Sequence, residues 1–466
     1  MKRKLVAAYV GLAFTAAPVV ASADVIFNGF GQVVGGSTLS NNRVFPYFPS
    51  NSNYSADPDF RPESNFALQV TAPISDSITA VAQVLALGED DFSPKFQWAY
   101  IKFQLNNTFA LKVGRVQTPL YKYSDFLFVG EAYPWLRLPR SVYTTSPFTN
   151  ADGIALTADR TVGDWDFYTQ VLYDNTPRVL VTNNPNGLAN AQVTNAINLS
   201  EDITYQSWLT MRGSLVVGRL TSALTCDGSV RNPATFAGGP AAAYGLNAEA
   251  FATCTSNYIV NALHAQGYTE AEKNLVASND LTAFWTAGFQ ADRWNWTVIG
   301  EYVGQINRQS YVSNFETSYL TVGYHVGKLF PFLTYGHYHA WMHDRASNNV
   351  PAGAYDPYLP PAIVNGNPVP VVTFQNEIDA IRSSAAEHAQ DNYYSLGLRY
   401  DLTSNVALKF DWTHYHSTYS TPNDPAIAGA IQYARSVLGA SPEAAAAPFT
   451  KGPDANLVSA AITFAF

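Results

Sequence analysis

The last eleven residues, Asn456 to Phe466, alternate without a break: Val458, Ala460, Ile462, Phe464 and Phe466 fall on one face, and Leu457, Ser459, Ala461, Thr463 and Ala465 on the other. Successive side chains of a strand point to opposite faces, so an apolar face reaching the final residue must rest against something equally apolar. A second face rich in Ser, Thr and Ala tolerates water. In a bilayer, this pattern describes one stave of a closed barrel with lipid outside and a lumen within.

The opposite end of the chain agrees. Lys2, Arg3 and Lys4 precede an apolar run from Leu5 to Val20 and then Ala21-Ser22-Ala23, so residues 1–23 read as a secretory signal peptide and the mature domain as 24–466. No later stretch reaches the roughly 18 uninterrupted apolar residues of a membrane helix. A membrane-spanning reading therefore requires a barrel, the other structure that satisfies every backbone group in lipid.

Composition fits that reading. The 466 residues include 28 Tyr, 27 Phe and 9 Trp, yet the apolar residues are diluted by alternation and do not form long blocks. Loss of the three basic leader residues takes the formal net charge from −9 to −12, which argues against a nucleic-acid partner. No Pro/Gly/Ser linker or step in composition divides the chain, and one domain is expected. The two cysteines, Cys226 and Cys254, share one Ala/Gly-rich polar stretch. In an exported chain they suggest a disulfide closing that segment, contributing on the order of 3 kcal/mol.

A period-two template finds sixteen strands, at 25–36, 63–72, 78–88, 95–105, 109–116, 151–160, 164–174, 193–205, 208–222, 281–291, 295–306, 315–326, 330–341, 391–401, 406–415 and 456–466. Ten residues at about 3.3 Å, tilted by about 40 to 45 degrees, cross about 23 to 25 Å, the height of an outer-membrane apolar band. The connections sort into seven short turns and eight mostly long loops, as expected if one rim faces the periplasm and the other the outside. The expected fold is an all-β, 16-stranded antiparallel transmembrane β-barrel.

Several staves carry a girdle pattern. Trp165 and Tyr173 bracket Phe167 and Val171, Trp296 and Tyr302 bracket Val298, and Val406, Leu408, Phe410 and Trp412 share a face. Parity assigns Lys102, Lys112, Arg212, Arg399 and Lys409, with Asp159, Asp166, Glu301 and Asp411, to the lumen. The five basic groups are scattered and form no ladder. For 330–341 the parity is ambiguous, and its faces are left unassigned. In the loops, Thr269 with Glu272, Asp424-Pro425 and Gln375 to Ala385 carry short-helix signals.

The opening Val25-Ile26-Phe27-Asn28-Gly29-Phe30-Gly31, the terminal aromatic strand, the pair Asp391 to Tyr415 and the count of sixteen together resemble the general porins of the Gram-negative outer membrane. The resemblance spans nearly all of the mature sequence. It implies an outer-membrane location after export through the periplasm, contact with lipid and lipopolysaccharide, and a homotrimer. It also implies passive diffusion of ions and small hydrophilic solutes, no cofactor, and a third long loop folded inward to narrow the pore. That loop runs from Gln117 to Asn150 and carries Lys122, Asp125, Glu131, Arg137 and Arg140. It offers Gly130-Glu131-Ala132-Tyr133-Pro134-Trp135 in place of the familiar eyelet motif. With Lys102, Lys112 and Arg115 on the neighbouring wall, these residues form the expected constriction, where facing acids and bases would set a transverse field.

Two alternatives stay open: a substrate-specific channel with an aromatic constriction, and a barrel plugged by its loops that serves binding or adhesion. Catalysis has thin support. His337, His339 and His343 cluster, as do His414 and His416, but no serine motif accompanies them and no CxxC metal pattern exists. The chain is read as a non-enzyme.

Overall fold

The computed structural model describes residues 24–39, 54–143, 145–184, 187–224, 277–308, 312, 314–341, 362–364, 367–369, 390–418 and 455–466. The leader 1–23, Cys226, Cys254, His343 and the three short-helix signals lie outside the described residues.

Sixteen antiparallel strands close a ring. They are β1 (Ile26–Ser37), β2 (Asn65–Ser75), β3 (Ile78–Leu87), β4 (Pro94–Gln104), β5 (Phe109–Gln117), β6 (Asn150–Val162), β7 (Trp165–Asn175) and β8 (Gly187–Tyr205). The circuit continues through β9 (Leu209–Leu224), β10 (Ala277–Arg293), β11 (Trp296–Asn307), β12 (Asn314–Tyr324), β13 (Leu329–Trp341), β14 (Gln390–Asp401), β15 (Val406–Thr418) and β16 (Ala455–Ala465). A further strand, Val179–Asn184, pairs with the upper part of β8 and stands above the ring. Each barrel strand pairs with its neighbour in sequence, and β1 pairs with both β2 and β16. At the seam the Gly29 N–H donates to the Phe466 carbonyl at 2.9 Å and the Phe466 N–H to the Gly29 carbonyl at 2.8 Å. The Phe466 ring lies where a Cβ on residue 29 would stand, 2.2 Å from that position, so glycine permits the closure.

Seven short turns gather on one rim, and the long connections on the other. The turn between β10 and β11 is Trp294-Asn295, both at positive φ (51° and 66°), the backbone of a type I′ hairpin whose twist suits antiparallel strands.

The exterior is apolar. Leu333, Leu396, Phe410, Val458 and Ile462 are all exposed on the outer face, as are Trp165, Val171, Tyr173, Trp296 and Tyr302. Water would oppose so wide an apolar surface, whereas lipid accepts it; this is the surface of a transmembrane barrel.

The faces of β13, which parity left open, are settled by what covers them. Leu329, Pro331, Leu333 and Tyr335 point outward, while Phe330 and Phe332 point inward and are buried. They join an apolar cluster with Trp135, Tyr133, Tyr123 and Tyr143, which come from the connection between β5 and β6. Both faces of this strand are apolar because one meets lipid and the other meets a loop.

Candidate functional site

The connection 118–149 makes side-chain bonds to an inner-face residue on every strand from β9 to β16. The Arg212 guanidinium on β9 donates to Asp125 at 2.9 Å, and the Tyr123 hydroxyl donates to Gln290 on β10 at 2.6 Å. On β11, buried Glu301 accepts from the Lys122 N–H at 2.8 Å, the Tyr143 hydroxyl at 2.6 Å and the Tyr319 hydroxyl at 3.2 Å. The Trp135 indole N–H donates to Thr321 on β12 at 3.0 Å and to Thr334 on β13 at 3.2 Å. Thr317 of β12 donates to the carbonyl of Ser141 at 2.7 Å, holding the helical turn Arg140–Tyr143.

The last third of the arc is ionic. Arg399 on β14 pairs with Glu131 and donates to the carbonyls of Glu131 and Tyr133 at 2.8 and 3.0 Å. Lys409 on β15 is buried, and its three N–H groups reach the carbonyls of Gly130, Tyr133 and Trp135, the latter two at 2.7 Å each. An ammonium has three donors, so this one is fully satisfied. Arg137 donates to both oxygens of Glu63 at 2.9 Å, to Asp411 on β15 and to Ser459 on β16 at 2.6 Å. Thr463 on β16 donates to Glu131 at 2.6 Å.

Burial sets the charge states within the loop. It works against the Arg137 cation, yet Glu63 and Asp411 outweigh it and hold the guanidinium well above its ordinary range. For Lys122 burial prevails and pulls the ammonium below the usual lysine range. Burial pushes the phenols of Tyr121, Tyr123, Tyr133 and Tyr143 up, so they stay neutral hydrogen-bond donors.

The residues expected at the constriction and the other charges expected on the lumenal face therefore divide into groups. Glu131, Arg137, Arg212, Glu301, Arg399, Lys409 and Asp411 are committed to holding the loop on the wall. Arg140 lies over the ring of Tyr415, 4.9 Å from its centroid. Lys102 and Lys112 sit directly opposite one another on β4 and β5, on the inner face that the loop leaves open. The Lys112 ammonium donates to the Tyr168 hydroxyl at 3.2 Å and lies 5.7 and 5.9 Å from the ring centroids of Tyr100 and Tyr168. Asp125 is the loop acid within electrostatic reach of both Lys112 and Tyr100. Its side chain is 50% exposed, whereas that of Glu131 is 12% exposed. Asp125, with the exposed Phe126 beside it, is thus the acid that faces open space.

Arg115 is a correction to the expected group. Three residues on from Lys112, it has the opposite parity, shares the outer face of Val113 and Phe109, and pairs with Asp152 at 2.8 and 2.9 Å near the long-loop rim. Asp159 and Asp166 are exposed on the inner face close to the short-turn rim, and Asp166 accepts from Thr161 at 2.7 Å. Sequence reasoning puts Tyr168 on the lumenal face beside Asp166 but singles out none of Glu63, Tyr100, Asp202 and Tyr319. Asp202 has the same lumenal parity as its cross-strand partner Arg212 and is open to that criterion; Glu63, expected at the start of the strand 63–72, lies just before β2, and only its contact with Arg137 reveals it.

No protein-family model matches the chain, and no curated protein matches it. Among solved structures it is similar to a loop-deletion mutant of OmpT, an outer membrane protein of Vibrio cholerae, at 9% identity and a TM-score of 0.48 over 95% of this chain and 99% of that one. The outer membrane channel DcaP of Acinetobacter baumannii gives 9% identity and a TM-score of 0.47, covering 96% and 99%. An anion-selective porin from Comamonas acidovorans gives 12% identity and 0.46, covering 95% and 99%. These likenesses are too distant for any property of those proteins to carry over, and the barrel stands on the strand pairings above.

Proposed function

We propose that this chain forms a water-filled channel in the outer membrane of a Gram-negative bacterium and passes ions and small hydrophilic solutes by passive diffusion. In this reading residues 1–23 direct export to the periplasm, the short turns face the periplasm, and the long loops face outward through lipopolysaccharide. The chain assembles as a homotrimer, and the connection 118–149 folds inward as the constriction.

The observation that supports it is the asymmetry of the inner wall. From β9 to β16 the wall is covered, and its charges are paired with the loop. From β2 to β7 half-buried polar groups remain on the inner face: Gln69, Thr71, Tyr100, Lys102, Lys112 and Tyr168. A loop that lies on one side of a wide barrel narrows the lumen without filling it. Between Asp125 and the Lys102–Lys112 pair a transverse field would align water and favour polar solutes.

The test is a planar-bilayer recording of single-channel conductance and reversal potential across a salt gradient. Linear steps grouped in threes are expected, with Lys112→Gln shifting the reversal potential toward cation preference and Asp125→Asn toward anion preference. Folded protein that gives no steps would overturn the channel in favour of a plugged barrel. The two tyrosine rings flanking Lys112 favour one second reading, a channel specific for aromatic or anionic solutes, which saturable flux would distinguish.

A further inference from the structure

The open side of the inner wall carries a pair of like charges that the fold does not neutralise. Lys102 and Lys112 stand directly opposite one another on β4 and β5, where two ammonium groups repel. The other inner-face cations of the strands are paired or enclosed. Arg212 and Arg399 meet Asp125 and Glu131, and three carbonyls surround Lys409. Among the described residues no carboxylate lies within ion-pair distance of Lys102 or Lys112. The Lys112 ammonium donates to the neutral Tyr168 hydroxyl, and Lys102 has no hydrogen-bond partner among the described residues. Asp125 acts on Lys112 from the loop, beyond direct contact.

Aromatic rings surround this positive patch. Those of Tyr100 and Tyr168 flank the Lys112 ammonium, and Tyr100 is held in place by packing against Val116, Ala155 and Leu172. From the loop side come Asp125 and Phe126, which with Ala132 are the exposed residues of 118–149 among those described. Phe126 is 51% exposed, whereas every other large apolar side chain described in the loop is covered in part or in full. This ring therefore does little to hold the loop on the wall. Left bare in a water-filled lumen it is unfavourable, and a solute with an apolar face would cover it.

We propose that the Lys102–Lys112 pair binds the carboxylate of a planar aromatic acid, whose ring lies between the tyrosines and Phe126. The inference deepens the channel reading and rests on it. A carboxylate bridging two ammonium groups relieves their repulsion through charge-assisted bonds. The rings favour a flat apolar body, so a small anion such as acetate gains only half of the site. Asp125 repels the carboxylate, which turns that end of the solute toward β4 and β5 and the ring toward the loop. Both lysines are only half-buried, so binding is weak and exchange fast, as passage through a pore requires.

The test records the full-length chain in a planar bilayer while benzoate replaces chloride at constant ionic strength, with acetate as the carboxylate alone and benzamide as the uncharged ring. Benzoate is expected to lower the current saturably, with a half-effect concentration roughly tenfold below that of acetate, and benzamide to do little. Lys102→Gln and Lys112→Gln should each raise the benzoate value roughly tenfold, and Asp125→Asn should lower it. Phe126→Ala should raise it roughly threefold and leave acetate unchanged. Equal values for benzoate and acetate in the parent would overturn the proposal, a comparison that needs no variant. So would a benzoate value that Phe126→Ala or both lysine variants leave unchanged. Steps in chloride alone report the channel, so a chain that conducts without saturable benzoate block fails this inference and keeps the channel reading. Where no steps appear, equilibrium dialysis of benzoate against refolded protein and empty detergent micelles reads the site directly, and an absence of saturable binding overturns it.

Discussion

Lys409 shows how a single lumenal charge can be structural. Its ammonium is enclosed by three loop carbonyls, and the ring of Tyr133 stands 4.8 Å away. Replacing it with Met removes three charge-assisted bonds and takes this donor from the carbonyls of Gly130 and Trp135, while Tyr133 keeps its bond from Arg399. Loop docking is expected to weaken by roughly 3 kcal/mol, within the range for breaking a buried charged group's bonds. The expected readout is open-channel noise with excursions to higher conductance, while the barrel itself remains folded by heat-modifiable migration. Steady current identical to the parent would remove the anchoring role. In the sequence, Lys409 and Lys112 carry the same signal, a lysine at lumenal parity. Only the loop packed over one of them makes the first a strut and leaves the second facing open space.

At the level of the element, the two glycines Gly336 and Gly213 make a matched pair. A Cβ at Gly336 on β13 would stand 2.0 Å from the Tyr393 ring and 2.8 Å from the Ser141 hydroxyl, so this inner-face position is where the loop's helical turn seats. At Gly213 on β9 the nearest atom would be a carbonyl 4.0 Å away, on the outer face. Gly336→Leu is expected to displace the turn Arg140–Tyr143 and lower the melting temperature, whereas Gly213→Leu should change stability by less than about 0.5 kcal/mol. Thermal melts of the two variants decide the matter, and equal melts would show that the turn is not seated against β13. Neither outcome follows from the sequence, where both residues are glycines inside strands.

Across the whole molecule, closure is the cooperative event. Sixteen strands leave no free edge only if β1 meets β16, and the two Gly29–Phe466 backbone bonds lie at the end of that seam. Removing Phe466 deletes both bonds, its N–H being the donor in one and its carbonyl the acceptor in the other, and the ring that fills the space over Gly29. The truncated chain is expected to refold more slowly and to yield less of the compact form on unheated gels, while wild-type yields from the truncation would mean that the seam closes without its last residue.

The architecture was legible in local patterning alone. Alternation within each strand and the contrast between short turns and long connections are local properties, since a strand declares its two faces whatever its neighbours do. The sixteen spans, the lipid-facing girdles and the lumenal parity of Lys102, Lys112, Arg212, Glu301, Arg399 and Lys409 could be read this way. Parity also contains the placement of Arg115, three residues out of step with Lys112. Which lumenal groups the loop covers was not legible there. That depends on where the connection 118–149 comes to rest, and its bonds reach residues far away in the chain, as from Lys122 to Glu301 and from Arg137 to Ser459. No periodicity encodes such contacts. They arise because a barrel wall with buried carboxylates, ammonium groups and aromatic rings on one inner side offers the loop partners that water could not replace at equal cost.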